Sequence, residues 1–203
     1  MAFAKDNRHF AVGCPGGENG ALSGKVYLFT TDPNAAEEAD AVLENPDGMP
    51  LKIFYPSASR VVVVYDNYMA LYDVQTGSEL ARFDYGGLPV QSASIGTGGN
   101  LVLLFGDGVH GALTQLTILD ATLSEAGSAD VNERASGVAA SRTGAFVLTN
   151  DGVLSYGLDG VFYGATVTEA KPLAMVNGRK LLLLEQGEVS VFEPLAPPSA
   201  SVG

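Results

Sequence analysis

The fold is decided by one stretch, Arg60-Val61-Val62-Val63-Val64-Tyr65-Asp66-Asn67-Tyr68-Met69-Ala70-Leu71-Tyr72-Asp73. It begins with an unbroken apolar run, which is typical of a strand that its neighbours bury on both faces. Asp66 and Asn67 then provide a short polar turn, and the residues from Met69 to Asp73 have the alternation of a strand that packs on one side. The stretch therefore predicts two antiparallel strands joined by a hairpin.

Outward from this stretch, the same pattern occurs four more times. Each copy is an apolar strand that follows a short polar turn, and successive copies are 51, 40, 45 and 35 residues apart. The first apolar residues of the five strands are Phe10, Val61, Leu101, Phe146 and Leu181. An irregular period of about 43 residues is in the range of a four-stranded propeller blade.

Each repeat predicts four strands in a fixed order. A strand of small residues comes first, because it would line a central channel in which space is limited. The unbroken apolar strand follows it. A third strand carries an aromatic or large apolar residue, and a more polar fourth strand lies on the rim, where charge discourages edge-to-edge pairing. The sequence therefore predicts an all-β fold, a β-propeller of four-stranded antiparallel blades with about 4.5 to 5 blades present. The predicted blades are residues 1–48, 49–88, 89–133, 134–169 and 170–195.

The fifth predicted blade has only three strands, because Pro194 stops the last one. Residues 196–203 are expected to be a disordered tail rich in proline and serine. One hypothesis is that the chain is the C-terminal part of a larger, here incomplete, propeller. The alternative is a small five-bladed ring in which one blade has three strands.

Two stretches carry a resemblance to known repeat families. The segment Tyr68-Met69-Ala70-Leu71-Tyr72-Asp73-Val74-Gln75-Thr76-Gly77-Ser78-Glu79-Leu80-Ala81-Arg82-Phe83 resembles a quinoprotein-like (PQQ-like) propeller repeat, and Ala2-Phe3-Ala4-Lys5-Asp6-Asn7-Arg8-His9-Phe10-Ala11-Val12-Gly13 is similar to the start of a WD40-like blade. The resemblance implies the fold, and among such families it points to uncharacterised bacterial propeller domains of a non-enzymatic kind. The redox chemistry of quinoproteins is not implied, since tryptophan is absent and there is one cysteine.

Composition narrows the range of partners. The net charge of −12 argues against nucleic acid, whose phosphates would be repelled, and against anionic lipid. No apolar run approaches the roughly 18 residues of a membrane span, so no direct membrane insertion is expected in this chain. We expect an acidic protein that is monomeric or part of a larger chain. The compartment is not indicated, although the resemblance suggests an extracytoplasmic cell envelope if an anchor lies upstream.

The only cysteine, Cys14, is expected to be a small buried apolar group on a strand. A nucleophile would need a histidine, and the two candidates are His9 and His110. His9 is five residues from Cys14, so the two side chains would lie on opposite faces of one strand. The loop histidine, His110, is expected to be solvated.

Acidic and glycine-rich clusters have structural explanations. Asp66, Asp107 and Asp151 recur at turns, where Asp-Asn and Asp-Gly favour type I′ hairpins over a metal site. The acidic run 37–40 is expected on a solvated outer strand, and the glycine-rich run 96–100 is expected to be a hairpin loop rather than a phosphate site.

Two longer connections, 15–24 and 106–112, are expected to be loop insertions of the kind that often carries binding. No catalytic, cofactor-binding or metal-binding residue is predicted, and no cofactor is expected. The predicted function is a non-catalytic binding or scaffold module that takes a protein or peptide partner through loops on one face. The alternatives are a propeller-class enzyme (a hydrolase, lyase or quinoprotein) and a structural spacer of a larger cell-envelope protein.

Overall fold

The computed structural model describes residues 1–18, 21–31, 38–45, 48–106, 114–167, 171–176, 180–185 and 188–192. In these ranges the regular structure is entirely β, and no helix has the length and apolarity that a membrane crossing needs. The chain divides into two compact units, Met1–Pro89 and Val90–Gly203. His110, Asp107, Glu37 and the tail 196–203 lie outside the described residues.

The first unit contains two four-stranded antiparallel sheets in which strands follow chain order. Blade 1 consists of β1 (Ala2–Phe3), β2 (His9–Glu18), β3 (Ala21–Thr30) and β4 (Ala41–Asn45). Blade 2 consists of β5 (Pro50–Ser57), β6 (Arg60–Tyr65), β7 (Tyr68–Asp73) and β8 (Glu79–Asp84).

The second unit contains two more four-stranded sheets and one sheet of three strands, all antiparallel. Blade 3 consists of β9 (Val90–Ile95), β10 (Leu101–Phe105), β11 (Thr114–Leu119) and β12 (Glu125–Val131). Blade 4 consists of β13 (Ala135–Ala140), β14 (Gly144–Thr149), β15 (Gly152–Gly157) and β16 (Phe162–Val167). The three-stranded sheet consists of β17 (Lys171–Val176), β18 (Lys180–Glu185) and β19 (Glu188–Phe192). These sheets confirm the all-β architecture of four-stranded antiparallel blades.

The unbroken apolar runs form the cores of the blades. In blade 2 every residue of Val61–Tyr65 is buried, and in blade 3 so is every residue of Leu101–Phe105. Successive side chains of a strand point to opposite faces, so burial of consecutive residues means that both faces are covered. This is the physical reason why the second strand of a blade has no polar alternation.

In the second unit, the small inner strands also carry hydrogen bonds between blades. Gln91 of β9 donates from Nε2 to the carbonyl of Ala135 over 2.8 Å. The hydroxyl of Ser92 accepts from the N–H of Val138 at 3.3 Å, and that of Ser94 accepts from the N–H of Ala140 at 3.1 Å. Small polar side chains are therefore needed on β9 for pairing with β13 as well as for space.

The turn after the third strand is held by an aspartate. In blade 2 the Asp73 carboxylate accepts from the N–H groups of Gln75 and Thr76, both at 3.0 Å, and from the Thr76 hydroxyl at 3.1 Å. Gly77 completes this turn with a φ of 66°, a conformation that costs glycine little. The quinoprotein-like motif thus has a local structural role in this chain.

The predicted loop insertion 15–24 is wrong. Strands β2 and β3 run through it as a long hairpin, in which Pro15 is opposite Gly24 and Gly16 is opposite Ser23. The glycine at 24 is required by close packing, because a side chain there would overlap the ring of Pro50 on β5. The other predicted insertion, 106–112, is described only at Gly106.

The type I′ prediction is also wrong for the turns at Asp66 and Asp151, whereas the turn at Asp107 lies outside the described residues. Asp66, Asn67 and Asp151 are not among the residues with positive φ, which a type I′ turn requires at both central positions. Asp66 is used instead to secure the connection between blades 1 and 2, since its carboxylate accepts from the N–H of Met49 at 2.8 Å. The acidic residues Glu38–Asp40 precede the outer strand β4, which begins at Ala41, and therefore do not lie on it as expected.

Candidate functional site

One face of blade 1 is partly exposed and largely apolar. Residues that are opposite one another on β1, β2, β3 and β4 form three cross-strand rows, and together these rows are termed the open face. The rows are Phe3–Phe10–Phe29, Val12–Tyr27–Val42 and Cys14–Lys25–Glu44. Because paired residues of antiparallel strands lie on the same side of the sheet, each row is a continuous strip.

The opposite face of blade 1 is covered within the first unit. Val26, Leu28 and Leu43 are buried in a cluster that also contains residues of blade 2. Gly13 faces Ile53 and Pro50 of β5, whose side chains would be in van der Waals contact with a Cβ atom at this position. Blade 1 therefore has one face that packs against blade 2, and the open face is accessible to solvent.

Aromatic rings give the open face a defined shape. The rings of Phe10 and Phe29 are stacked with centroids 4.9 Å apart and an interplanar angle of 12°, and Phe3 lies 5.7 Å from Phe10. Phe3 is 57% exposed, and Val42 is 45% exposed. Such rings fix one another, so a partner could bury them at little additional cost in side-chain entropy.

A charged row lies at one end of the open face. Lys25 Nζ is 2.7 Å from Glu44 Oε1, and both side chains are more than half exposed. An exposed ion pair of this kind contributes at most about 1 kcal/mol to stability. The pair does, however, keep the end of the face polar, whereas the Phe and Val rows provide its apolar part.

An open cleft of about 580 Å³ adjoins this polar end. Its lining comes from the tip of the β2–β3 hairpin and from β4. The glycines Gly16 and Gly17 contribute backbone to the lining, and Tyr27 contributes a ring. Exposed main chain beside an aromatic ring is suited to binding a polypeptide, which offers both hydrogen bonds and apolar side chains.

Cys14 is exposed on the open face, so the prediction that it is buried is wrong. The reason is that β2 is covered on one side only, whereas the sequence pattern suggested burial on both. His9 does not serve Cys14: its Nδ1 is 2.7 Å from Asp6 Oδ2. The N–H of Arg8 donates to Asp6 Oδ1 at 2.9 Å, and chiefly this hydrogen bond lowers the pKa of Asp6.

The remaining candidate residues serve turns. In the 96–100 segment the N–H of Gly96 donates to the carbonyl of Asn100 at 2.8 Å, which closes the connection between β9 and β10. The N–H of Asp151 donates to the hydroxyl of Thr149 at 3.3 Å. In the part of the chain that the structure describes, no group of three or more His, Cys, Asp and Glu residues could hold a metal ion.

The open face was missed by sequence reasoning. The segment from Phe10 to Val12 was interpreted as part of a strand buried on both faces. A signal was available, since Phe10 and Val12 share one side of β2 while Tyr27 and Phe29 share one side of β3. This signal can be recognised only when the register of the β2–β3 hairpin is known. The glycine-rich segment 15–24 was interpreted as a loop, so the register could not be predicted.

Comparison with known proteins supports the fold. No protein-family model matches the chain, and no curated protein matches it. Among solved structures, BamB from Moraxella catarrhalis has 17% sequence identity and a TM-score of 0.51, over 67% of this chain and 44% of BamB. Hsv2 from Kluyvelomyces marxianus has 15% identity and a TM-score of 0.59, over 85% of this chain and 56% of Hsv2.

A protein of unknown function from Bacteroides caccae has 13% identity and a TM-score of 0.52, over 92% of this chain and 73% of that protein. BamB and Hsv2 are propellers, so the chain has a propeller-type fold. The chain spans 44% of BamB and 56% of Hsv2, less than two thirds of either. At these identities the similarity defines a class of fold and no particular family.

Proposed function

We propose that this chain is a non-catalytic binding or scaffold module of the propeller class, and that it takes a protein or peptide partner on the open face of blade 1. The observation that carries the proposal is the strip of apolar side chains in which Phe3 and Val42 are exposed and Phe10, Tyr27 and Phe29 are half-buried. Contiguous exposed apolar surface next to polar groups is typical of an interaction site. The site is a blade face, in place of the loops that the sequence suggested.

The chemistry of the open face favours a polypeptide partner. Stacked phenyl rings and a valine bind apolar side chains, and the adjacent cleft exposes backbone of Gly16 and Gly17. The charge of the chain is strongly negative, which supports a partner other than nucleic acid. A neutral or cationic polypeptide fits all of these features.

Assignment to a non-enzymatic branch of WD40-like and quinoprotein-like repeats is part of this proposal. It is supported by the use of the repeat motif in turns. The Asp73 carboxylate is occupied by three local hydrogen bonds, and the Asp120 carboxylate accepts from the N–H of Thr122 at 2.7 Å and from the N–H of Ser124 at 3.1 Å. Carboxylates that accept these local hydrogen bonds stabilise the turns of the fold.

The proposal is tested with a display library of random peptides selected on the purified chain. Selected peptides should be rich in apolar or aromatic residues, and Val42→Asp should weaken their binding about tenfold or more, because a charge would be desolvated in the contact. The matched control is Val167→Asp, since Val167 is 85% exposed on blade 4. Binding that is equally sensitive to both changes, or no selected peptide, would contradict the proposal and favour a structural spacer.

A further inference from the structure

A second cleft, termed the interblade cleft, lies within the second unit between the outer parts of blades 3 and 4. Its volume is about 320 Å³, at the lower end of the range of small-molecule sites. One wall comes from the end of β12 and the connection to β13, and the other comes from β15, β16 and the turn between them. Both walls thus belong to complete four-stranded sheets in the middle of the chain.

Two glycines allow the walls to meet at one side of the interblade cleft. A side chain at Gly127 of β12 would overlap the backbone of Asp159, and a side chain at Gly160 would overlap the backbone of Ser128. Gly160 also has a φ of 80°, which glycine adopts at little cost. Because main chain meets main chain here, the spacing of the two walls is fixed and the cleft is formed before any ligand enters.

Tyr156 of β15 is the group that points to a ligand. It lines the interblade cleft and is only 5% exposed, and its hydroxyl has no hydrogen-bond partner among the residues that the structure describes. A buried tyrosine hydroxyl normally has such a partner. The missing partner is therefore expected to be a polar group that occupies the cleft.

The charge beside this hydroxyl is negative. Glu133, in the connection between β12 and β13, also lines the cleft, and within the described ranges it forms no ion pair. Burial, and secondly the charge of Glu133, raise the pKa of Tyr156. A ligand group that carries positive charge and hydrogen-bond donors suits both side chains, whereas an anion would be repelled.

An apolar wall adjoins these two polar groups. Phe162 of β16 is 53% exposed, and its ring lies 5.5 Å from the ring of Tyr156 at an interplanar angle of 58°. Ala129 and Leu154 line the same cleft. A cation is attracted by an aromatic face within about 6 Å, and the methylene groups of an alkyl chain pack on apolar side chains. The cleft therefore combines the features that an alkylammonium group requires.

We propose that the interblade cleft binds a primary ammonium group carried on an alkyl chain. The Tyr156 hydroxyl accepts a hydrogen bond from the ammonium group, Glu133 balances its charge, and Phe162 covers the alkyl stem. A quaternary ammonium group fits less well, because it has no N–H and would leave the hydroxyl without a partner. Two sources carry this chemistry, the lysine side chain of a partner protein and a free aliphatic amine. The site shares no residue with the open face, so it is tested independently of the proposed function.

Binding is tested on the whole chain by amide nuclear magnetic resonance titration with two probes, n-pentylamine and Nα-acetyl-lysine methylamide. At least one should cause saturable shifts at the amides of Glu133, Gly160 and Phe162. The controls n-pentanol, which lacks the charge, and tetramethylammonium, which lacks the N–H, should bind at least about tenfold more weakly. Tighter binding of the lysine derivative would assign the site to a protein side chain, and tighter binding of pentylamine to a free amine. Saturation by neither amine, or by the controls equally well, would overturn the proposal.

Two variants test the roles of the polar groups. Tyr156→Phe removes only the hydroxyl and Glu133→Gln only the charge, and each should weaken amine binding about tenfold. The matched control is Asp84→Asn, an exposed position on blade 2 that changes the net charge equally and should leave binding unchanged. Equal binding by the wild type and both cleft variants, or an equal loss in Asp84→Asn, would overturn the proposal, since the attraction would then come from net charge alone.

Thermal unfolding separates a role of Tyr156 in binding from a role in folding. Because the hydroxyl has no described partner in the free chain, Tyr156→Phe should leave the midpoint of unfolding unchanged or raise it. Loss of amine binding without loss of stability would support the proposal. A lowered midpoint would contradict it, because the hydroxyl would then already be satisfied within the protein.

Discussion

Blades 1 and 2 have the same order of strands, yet their central strands have different surroundings. In blade 2, residues Val61–Tyr65 and Tyr68–Tyr72 are buried on both faces, so the prediction that the strand from Met69 to Asp73 packs on one side is wrong. In blade 1, Val26 and Leu28 of β3 are buried, whereas Lys25 between Gly24 and Val26 is exposed. The comparison shows that the repeat pattern determines the order of strands in a blade. Whether a face of the blade is buried or exposed depends on what packs against it.

The largest expected effect comes from substitutions on the two faces of β4. Leu43→Ala removes a side chain from the buried cluster and should lower the free energy of unfolding by about 2–5 kcal/mol. Its neighbour Val42 is on the open face, so Val42→Ala should change the free energy by less than about 0.5 kcal/mol. Urea unfolding monitored by circular dichroism measures both. Similar losses for the two variants would show that the open face is covered in solution.

A smaller effect is expected at two glycines of the β2–β3 hairpin. Gly24→Ala would direct a methyl group into the ring of Pro50 and should cost about 1–3 kcal/mol. Gly16→Ala should be neutral or stabilising, because its Cβ would meet only Ser23, with Oγ at 3.5 Å. The same unfolding experiment compares them. A larger loss of stability for Gly16→Ala than for Gly24→Ala would mean that the open face is the packed face of blade 1, contrary to the account.

The smallest expected effect concerns alkaline pH and the tyrosines of blade 2. Burial raises the pKa of Tyr65 to about 12, above the value of about 10 in an unfolded chain. The folded state therefore holds this proton more tightly, so its contribution to stability is complete below pH 10 and is lost as the pH rises through 12. Tyr65→Phe should make the free energy of unfolding fall less steeply in that range.

The slope that remains in the Tyr65→Phe variant is assigned to other buried tyrosines. Tyr55, whose pKa burial also raises to about 12, titrates in the same window. Urea unfolding at increasing pH measures the slope for the wild type and the variant. An unchanged slope would mean that Tyr65 ionises as freely in the folded chain as in the unfolded one, contrary to its burial in blade 2.

The parts of the fold that follow from local pattern were predictable from sequence. The apolar run Val61–Val64 indicated a strand covered on both faces, and the polar pair Asp66–Asn67 indicated a short turn between two strands. Both signals are contained in a few consecutive residues. The hydrogen bonds of Ser92 and Ser94 to β13 were not predictable, since they join residues 46 positions apart.

The candidate site was not predictable for a related reason. Residues 15–24 are rich in glycine and contain a proline, which is the composition of a loop. Residues 15–18 and 21–24 nevertheless pair as strands, since Gly24 is needed against Pro50 and the missing N–H of Pro15 is directed away from β3. The exposure of Cys14 follows from its position on the open face. The pairing of these residues and the exposure of Cys14 depend on packing between distant segments, which a local sequence pattern does not predict.

The most direct test of the account is amide hydrogen exchange along β2 of the free chain, measured by nuclear magnetic resonance. If β2 and β3 pair through residues 15–18 and 21–24, the amides of Cys14 and Gly16, which face β3, should exchange at least about tenfold more slowly than in an unstructured chain. Amides of Cys14 and Gly16 that exchange as fast as in an unstructured chain would contradict the account, because this segment would then be the loop that its composition suggests.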